Sequence, residues 1–153
     1  KDEVLAEAEK SAAVTHNHPD GIAGAQAVAL AVWMARQDAA KDDIKREIET
    51  RFGYDLSRRL ADIRPGYQFD VTCQGSVPEA LIAFYESENL EDAIRKAISL
   101  GGDSDTLGCI TGGIAHAYYK KIPEDIVNKV YARIPEPFVP VIENFNRRFN
   151  IQL

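Results

Sequence analysis

The sequence predicts an all-α fold in one domain, residues 1–153, and two observations support that prediction. Nearly every segment of the 153-residue chain repeats its apolar side chains at the helical spacing of three to four positions. Residues 67–75 are the only stretch with strand-like composition, and one short isolated strand is too little to form a sheet.

The first half of the chain contains four predicted helices, which span residues 3–14, 20–36, 41–51 and 56–63. Pro19 suits the first turn of the second helix, because the N–H groups of a first turn have no partner inside the helix. Small residues on every side of this second helix indicate a central helix that neighbouring backbones approach closely. Gly53 ends the third helix, and Pro65 ends the short fourth one.

The second half contains five further predicted helices: one that opens at Ser76, two over residues 89–100 and 104–120, one that begins at Pro123, and one over 138–149. Ser76 is a good N-cap, and Glu79 three positions later completes a capping box. Gly101 and Gly102 end the helix over residues 89–100.

Composition and charge exclude several classes of protein. Hydrophobic residues make up 45% and charged residues 27% of the chain, a balance typical of globular domains. The net charge of -6 is opposite to what a phosphate-binding surface needs, so we expect no nucleic-acid partner. Every stretch of low charge is interrupted before the roughly 18 residues of a membrane span, and we expect no signal peptide within these residues. For Cys73 and Cys109 we expect reduced thiols in a cytoplasmic protein, with one disulfide as the alternative.

The strongest chemical signal is the segment 101–108, which reads Gly-Gly-Asp-Ser-Asp-Thr-Leu-Gly. Asp103, Asp105 and the hydroxyl of Thr106 are hard oxygen donors, which suit Mg²⁺ or Mn²⁺ and not a soft metal. The preceding glycines let a ligand approach the backbone, and free N–H groups at the start of the next helix can receive a phosphate.

Three other readings of this segment compete with a metal site. Asp103 or Ser104 could simply cap the helix that follows, and on spacing alone that reading is as good as the metal site. An EF-hand loop is excluded, because Leu107 stands at its fifth position and Ile114 at its twelfth, where oxygen ligands are needed. A dinucleotide-binding turn requires a preceding strand, which the sequence does not predict.

A second signal is the loop Thr-His-Asn-His-Pro at residues 15–19. Its histidines, His16 and His18, could bind a metal, act as acid or base, or contact a ligand. They could equally satisfy the ends of the neighbouring helices, and two histidines without a third ligand are a weak zinc signal. His116 lies inside a predicted helix, which favours a structural role.

Taken together, these segments resemble the ADP-ribosylglycohydrolase family, the all-α hydrolases that remove ADP-ribose from modified proteins. Residues 15–19 are similar to the family's Thr-His-x-x-Pro or Thr-x-x-His-Pro loop. Residues 76–84 are similar to its Val-Pro-x-Ala-Leu-x-x-Phe helix. Residues 101–106 match its Gly-Gly-Asp-x-Asp-Thr block, and residues 112–115 match the glycine-rich helix after it. The resemblance implies a compact orthogonal bundle of helices.

The resemblance implies a role for each residue of the last block. Asp103, Asp105 and Thr106 would be ligands of a pair of Mg²⁺ or Mn²⁺ ions. The substrate, ADP-ribose or an ADP-ribosylated protein, would be contacted by four residues: His16, Gly101, Gly102 and Ser104. No general acid or base is identified.

Several motifs of the family's amino-terminal half do not occur in these residues: Gly-Asp-x-x-Gly, Thr-Asp-Asp-Thr and Gly-Asn-Gly-x-x-Met-Arg. We therefore expect the chain to correspond to the carboxy-terminal half, with a missing segment or second chain completing the metal site. The leading hypothesis is a metal-dependent hydrolase of ADP-ribosyl conjugates. The alternative is a non-catalytic relative, crystallin-like or ADP-ribose-binding.

Overall fold

The computed structural model describes residues 1–151, and no strand occurs within that range, so the predicted all-α fold is confirmed. Its helices are α1 (Asp2–Ala13), α2 (Pro19–Arg36), α3 (Lys41–Phe52), α4 (Leu60–Ile63), α5 (Cys73–Tyr85), α6 (Leu90–Ile98), α7 (Ser104–Tyr119), α8 (Glu124–Tyr131) and α9 (Val139–Phe149). A 3-10 turn, Glu136–Phe138, precedes α9. None of these helices is long and apolar enough to cross a membrane.

The start of α5 differs from the prediction. No strand forms over residues 67–75, and the capping box at Ser76 and Glu79 is absent because the helix begins earlier. Thr72 is the N-cap, and its hydroxyl oxygen accepts the Gly75 amide at 3.1 Å. Glu79, already inside the helix, instead pairs with Arg58 at 2.8 Å. A good cap four residues upstream thus competed successfully with the predicted one.

The chain divides into two compact units, residues 1–119 and residues from 120 onward. The second unit contains α8 and α9, whose residues are all at least partly exposed. The first unit contains the hydrophobic core and every predicted site residue. The single domain over residues 1–153 stays a prediction.

Helix α2 is central in the first unit, as its small residues predicted. It packs against α1, α3, α5 and α7, and Ala27, Leu30 and Ala31 are completely buried. At its crossing with α5, an added Cβ on Gly24 would lie 2.8 Å from the Cβ of Cys73. Only glycine leaves the room for this close approach.

Helices α5 and α7 run parallel to each other. Midway along the pair, the buried hydroxyl of Thr111 donates to the carbonyl oxygen of Ala80 at 2.9 Å, across 31 residues. At the last turn, the hydroxyl of Tyr119 donates to the carbonyl oxygen of Ser87 at 2.7 Å, across 32 residues. The two contacts join residues that are separated by nearly the same number of positions along the sequence. Helices α5 and α7 therefore begin at the same end of the pair and finish at the other, and α6 connects the finish of α5 to the start of α7.

At the finishing end of this pair, the ammonium group of Lys41 is enclosed in what we call the Lys41 cluster. Its Nζ lies 2.9 Å from the Phe84 carbonyl oxygen, 3.3 Å from that of Tyr85 and 2.8 Å from the Tyr119 hydroxyl. Ser87 supplies a further carbonyl oxygen at 2.5 Å. Three aromatic rings surround the same nitrogen at 4.9–5.5 Å: those of Phe84, Tyr118 and Tyr119.

Candidate functional site

The turn between α6 and α7 is formed by Gly101, Gly102 and Asp103, and we call it the ligand turn. Gly101 has a φ of +79° and Gly102 a φ of +65°, a left-handed conformation that other residues rarely adopt. The amide of Ser104 donates to the carbonyl oxygen of Gly102 at 3.0 Å, which closes the turn onto the first residue of α7. The left-handed backbone conformation at residues 101 and 102 therefore explains why both are glycine.

The ligand turn brings Asp103 and Asp105 together at the start of α7. The hydroxyl of Thr106 donates to Oδ2 of Asp103 at 2.9 Å, and its amide donates to Oδ1 of Asp105 at 3.1 Å. A hydrogen bond with the Asp105 carboxyl, followed by that from Thr106, lowers the pKa of Asp103 from its ordinary value. Three oxygen-bearing side chains thus meet on one turn of backbone.

The capping interpretation of Asp103 is compatible with this arrangement. Its backbone carbonyl oxygen accepts the Leu107 amide at 3.0 Å, the first hydrogen bond of α7. The residue therefore stands at the N-cap, with its carboxylate beside the positive end of the helix. The dinucleotide-binding interpretation is excluded, because α6 and not a strand precedes the glycines.

The chemistry of these donors fits a hard divalent cation, although the set is small. Within residues 1–151, neither Asp103 nor Asp105 forms an ion pair with Lys or Arg. Asp105 and Thr106 are exposed and Asp103 is half-buried, so all three can be reached from solvent. No group of three or more His, Cys, Asp or Glu side chains that could hold a metal occurs in this range. Magnesium takes about six oxygen ligands, so most would come from water, substrate or further protein.

The two histidines of the loop before α2 have different surroundings. His18 is the N-cap of α2, and its Nδ1 accepts the Asp20 amide at 3.3 Å. The Nδ1 of His16 instead shares a hydrogen bond with the Thr15 hydroxyl at 2.8 Å, and the His16 side chain is exposed. The alternative that a loop histidine satisfies a helix end therefore holds for His18, and His16 is the histidine that could contact a ligand.

The predicted site residues fall into two groups. Six of them form the continuous segment of residues 101–106 that opens α7, and His16 lies just before α2. Helices α2 and α7, which follow these two segments, pack against each other. A single site that unites His16 with the carboxylates stays a prediction. Both cysteines are free thiols, Cys73 half-buried and Cys109 exposed.

Sequence reasoning missed Tyr67, which lies directly against the ligand turn. A Cβ added to Gly102 would lie 2.8 Å from Cε1 of Tyr67 and 3.0 Å from the carbonyl oxygen of Gln68. Burial raises the pKa of the Tyr67 hydroxyl from its ordinary value, and the nearby charges of Glu79, Asp70 and Asp103 add to the shift. No local motif signals this contact, because Tyr67 precedes the turn by a whole helix pair.

Comparison with known proteins identifies the family of this chain. The ADP-ribosylglycohydrolase family matches residues 1–151, so the chain belongs to the ADP-ribosylglycohydrolase family. A relative from Archaeoglobus fulgidus, described only as an uncharacterized protein, is 29% identical over 131 residues. The alignment covers 76% of this chain and 43% of the relative, so the chain spans less than half of that protein's length.

Proposed function

We propose that this chain carries one part of the active site of a metal-dependent hydrolase, which cleaves the glycosidic bond between ADP-ribose and a modified side chain or related group. The observation that supports this proposal most directly is the pair of carboxylates, Asp103 and Asp105, at the start of α7, in a chain that belongs to the ADP-ribosylglycohydrolase family. The remaining metal ligands and the acid or base would come from a segment that carries a Thr-Asp-Asp-Thr block.

Asp103, Asp105 and Thr106 would hold Mg²⁺ or Mn²⁺ in this proposal. The metal, when bound, would supply a Lewis acid that orients ribose hydroxyls and activates a water beside the glycosidic bond. Thr106 fixes the Asp103 carboxylate by its hydrogen bond at 2.9 Å, so this ligand is oriented before any metal arrives. Ser104 and the two glycines would line the ADP-ribose cleft beside the start of α7, where the positive end of the helix favours a phosphate.

His16 would contact the ribose region of the substrate. Its Nδ1 is engaged by Thr15, so Nε2 is the ring nitrogen left for a ligand among the residues that the structure describes. His18 is occupied by its capping bond to the Asp20 amide and takes no part.

Release of ADP-ribose from proteins modified on arginine or on serine tests this proposal. We expect no useful release by the chain alone, because the groups of a shared active site act together and the loss of several is nearly complete. An amino-terminal segment with the Thr-Asp-Asp-Thr block, added in trans or by fusion, should restore release that depends on Mg²⁺ or Mn²⁺. Asp103→Ala should then eliminate release.

Asp42→Ala is the matched control, because Asp42 is an exposed acidic residue in the first turn of α3 and should leave release unchanged. Release that survives Asp103→Ala would contradict the proposal. If the completed protein binds ADP-ribose but never hydrolyses a conjugate, the non-catalytic alternative is correct. Rapid turnover by the chain alone would show that one of its own carboxylates, such as Asp20, Asp70 or Glu79, supplies the missing group.

A further inference from the structure

We propose that Tyr67 is a positioning residue for the ligand turn: its ring packs against Gly102 and so fixes the direction of the Asp103 carboxylate. The statement that this carboxylate is a metal ligand rests on the proposed function above. The packing of Tyr67 on the turn does not, so the two can be tested separately.

The two glycines of the ligand turn differ in their surroundings. A Cβ on Gly101 would meet nothing within 4 Å, whereas a Cβ on Gly102 would lie 2.8 Å from the Tyr67 ring. Real Cβ atoms do not approach ring carbons that closely, so only glycine leaves room for the ring at this position. Gly101 is therefore required for its backbone conformation alone, and Gly102 also for its contact.

Tyr67 is itself held from the start of α5. Its hydroxyl donates to the carbonyl oxygen of Gly75 at 2.9 Å, and its amide donates to the carbonyl oxygen of Ile63 at 3.1 Å. The loop that follows is fixed from the same helix, because the Ser76 hydroxyl donates to the carbonyl oxygen of Asp70 at 3.2 Å. The ring is half-buried against the hydrophobic core. A rigid helix thus supports the surface on which Gly102 lies.

Asp103 is the next residue after Gly102, so the backbone angles of Gly102 set where its carboxylate points. Glycine explores a wide range of φ and ψ unless packing restricts it. Tyr67 provides that restriction from outside the turn, because its hydroxyl donates to the carbonyl oxygen of Gly75 and not to an oxygen atom of Asp103, Asp105 or Thr106. A displacement of about 1 Å at a ligand is enough to weaken binding strongly.

The first experiment measures amide hydrogen exchange in the turn, which needs no metal. In Tyr67→Ala, exchange of the Gly101 and Ser104 amides, which hydrogen-bond at the turn, should quicken by about ten-fold or more. Amides further along α7, such as that of buried Ile114, should keep their rates. Tyr67→Phe keeps the ring and loses the bond to Gly75, and it should restore most of the protection. Unchanged exchange of the Gly101 and Ser104 amides in folded Tyr67→Ala would overturn the proposal.

Gly102→Ala tests the same contact from the other side, should Tyr67→Ala fail to fold. Its control is Gly53→Ala, because Gly53 also has a left-handed φ of +70° but open space around its Cβ. Both variants carry the strain of a left-handed alanine, and only Gly102→Ala displaces Tyr67. We expect faster exchange of the Gly101 and Ser104 amides in Gly102→Ala alone, and an equal effect of both variants would contradict the proposal.

The second experiment measures the affinity for Mn²⁺ by electron paramagnetic resonance of the free ion. Tyr67→Ala should weaken the affinity by about ten-fold, and Tyr67→Phe should remain close to the parent chain. An equal Mn²⁺ affinity of Tyr67→Ala and the parent would overturn the positioning role. If the parent chain and its completed form bind no Mn²⁺, the proposed function fails, and the exchange comparison still decides whether Tyr67 holds the turn.

Discussion

The two ends of the parallel pair α5 and α7 carry opposite charges, an enclosed cation at one end and carboxylates that solvent can reach at the other. At the finishing end, the carbonyl oxygens of Phe84, Tyr85 and Ser87 surround the ammonium group of Lys41. At the starting end, the carboxylates of Asp103 and Asp105 lie together, and no lysine or arginine of residues 1–151 pairs with them. The ammonium group at the finishing end is therefore hydrogen-bonded by groups of this chain, whereas the carboxylates at the starting end have no basic partner among the described residues.

The helix dipoles explain why each charge stands where it does. Carbonyl groups at the end of a helix carry partial negative charge, which a cation complements, and the N–H groups at its start favour anions. Both arrangements are therefore compatible with folding. The difference between them teaches that a polar cluster whose donors and acceptors are matched serves stability, whereas one left unmatched at an exposed turn is available for binding.

Loss of the Lys41 ammonium group should have the largest effect on stability. This group lies at the finishing end of the helix pair, which we call the closed end. In Lys41→Met, three carbonyl oxygens lose the ammonium donor, and that of Tyr85 keeps no other donor among the described residues. We therefore expect a loss of about 3 kcal/mol in the free energy of unfolding. For a chain of this length that corresponds to a fall in Tm of roughly 6 to 12 °C, measured by calorimetry.

Lys45→Met is the control for that measurement. Lys45 lies one turn further along the same helix, outside the cluster, and its replacement should change the free energy of unfolding by less than about 0.5 kcal/mol. Equal losses in the two variants would mean that the Lys41 cluster contributes nothing special.

Metal binding at the starting end of the helix pair, which we call the open end, should produce the next largest effect on stability. At a Mg²⁺ or Mn²⁺ concentration ten times the dissociation constant, binding adds about 1.4 kcal/mol to the free energy of unfolding, and Tm rises accordingly. Asp105→Asn should abolish that rise and leave Tm without metal nearly unchanged. Asp42→Asn is the matched control, since Asp42 is the second residue of α3 as Asp105 is of α7. A rise that persists in Asp105→Asn would place the ion elsewhere.

Removal of one member of the closed end should cost less than removal of its centre. The hydroxyl of Tyr119 donates to the Ser87 carbonyl oxygen at 2.7 Å and accepts from Lys41 at 2.8 Å. Tyr119→Phe loses both bonds but keeps the ring beside the ammonium group, so we expect a loss of about 1 kcal/mol by urea unfolding. A loss as large as that of Lys41→Met would show that the hydroxyl and not the ammonium group holds the cluster together.

The smallest effect is expected at Tyr54, whose buried hydroxyl has no hydrogen-bond partner in the part of the chain that the structure describes. Tyr54→Phe should change the free energy of unfolding at neutral pH by no more than about 0.5 kcal/mol, or increase it, because no bond is lost. This variant separates matched hydroxyls, such as that of Tyr119, from unmatched ones.

The same tyrosine gives a pH dependence with a definite sign. Burial raises the pKa of Tyr54 from 10.0 to about 12. The neutral form is therefore favoured by folding, so its contribution is fully present below pH 10 and is lost as the pH rises through 12. Urea unfolding between these values should show a steeper loss of stability in the parent chain than in Tyr54→Phe. Parallel losses would assign the alkaline transition to other groups.

How much of this could be predicted from the sequence depends on how local each feature is. The ligand turn was found because its glycines and carboxylates are consecutive residues whose chemistry is readable in order. The helices followed from apolar spacing, and the error at Ser76 arose where two possible N-caps lie four residues apart. Periodicity does not decide between such caps, because both satisfy the free N–H groups of a first turn.

The contacts that complete each end of the helix pair could not be predicted in this way. Lys41 meets its acceptors across 43 to 78 residues, and nothing near position 41 distinguishes it from Lys45. Tyr67 and Gly102 come together only because α5 and α7 are parallel. Their contact depends on the packing direction of whole helices, which the spacing of apolar residues leaves open.

The enclosure of Lys41 has a consequence for its chemical reactivity. An acylating reagent must reach the side-chain nitrogen from a free direction, and here carbonyl groups, a hydroxyl and three rings occupy the space around it. The nitrogen of Lys10, on a side chain that is 71% exposed, has no such shield. Acylation of Lys41 should therefore be much slower than that of Lys10 in the native protein. The rate of Lys41 acylation then measures how often that end of the helix pair opens.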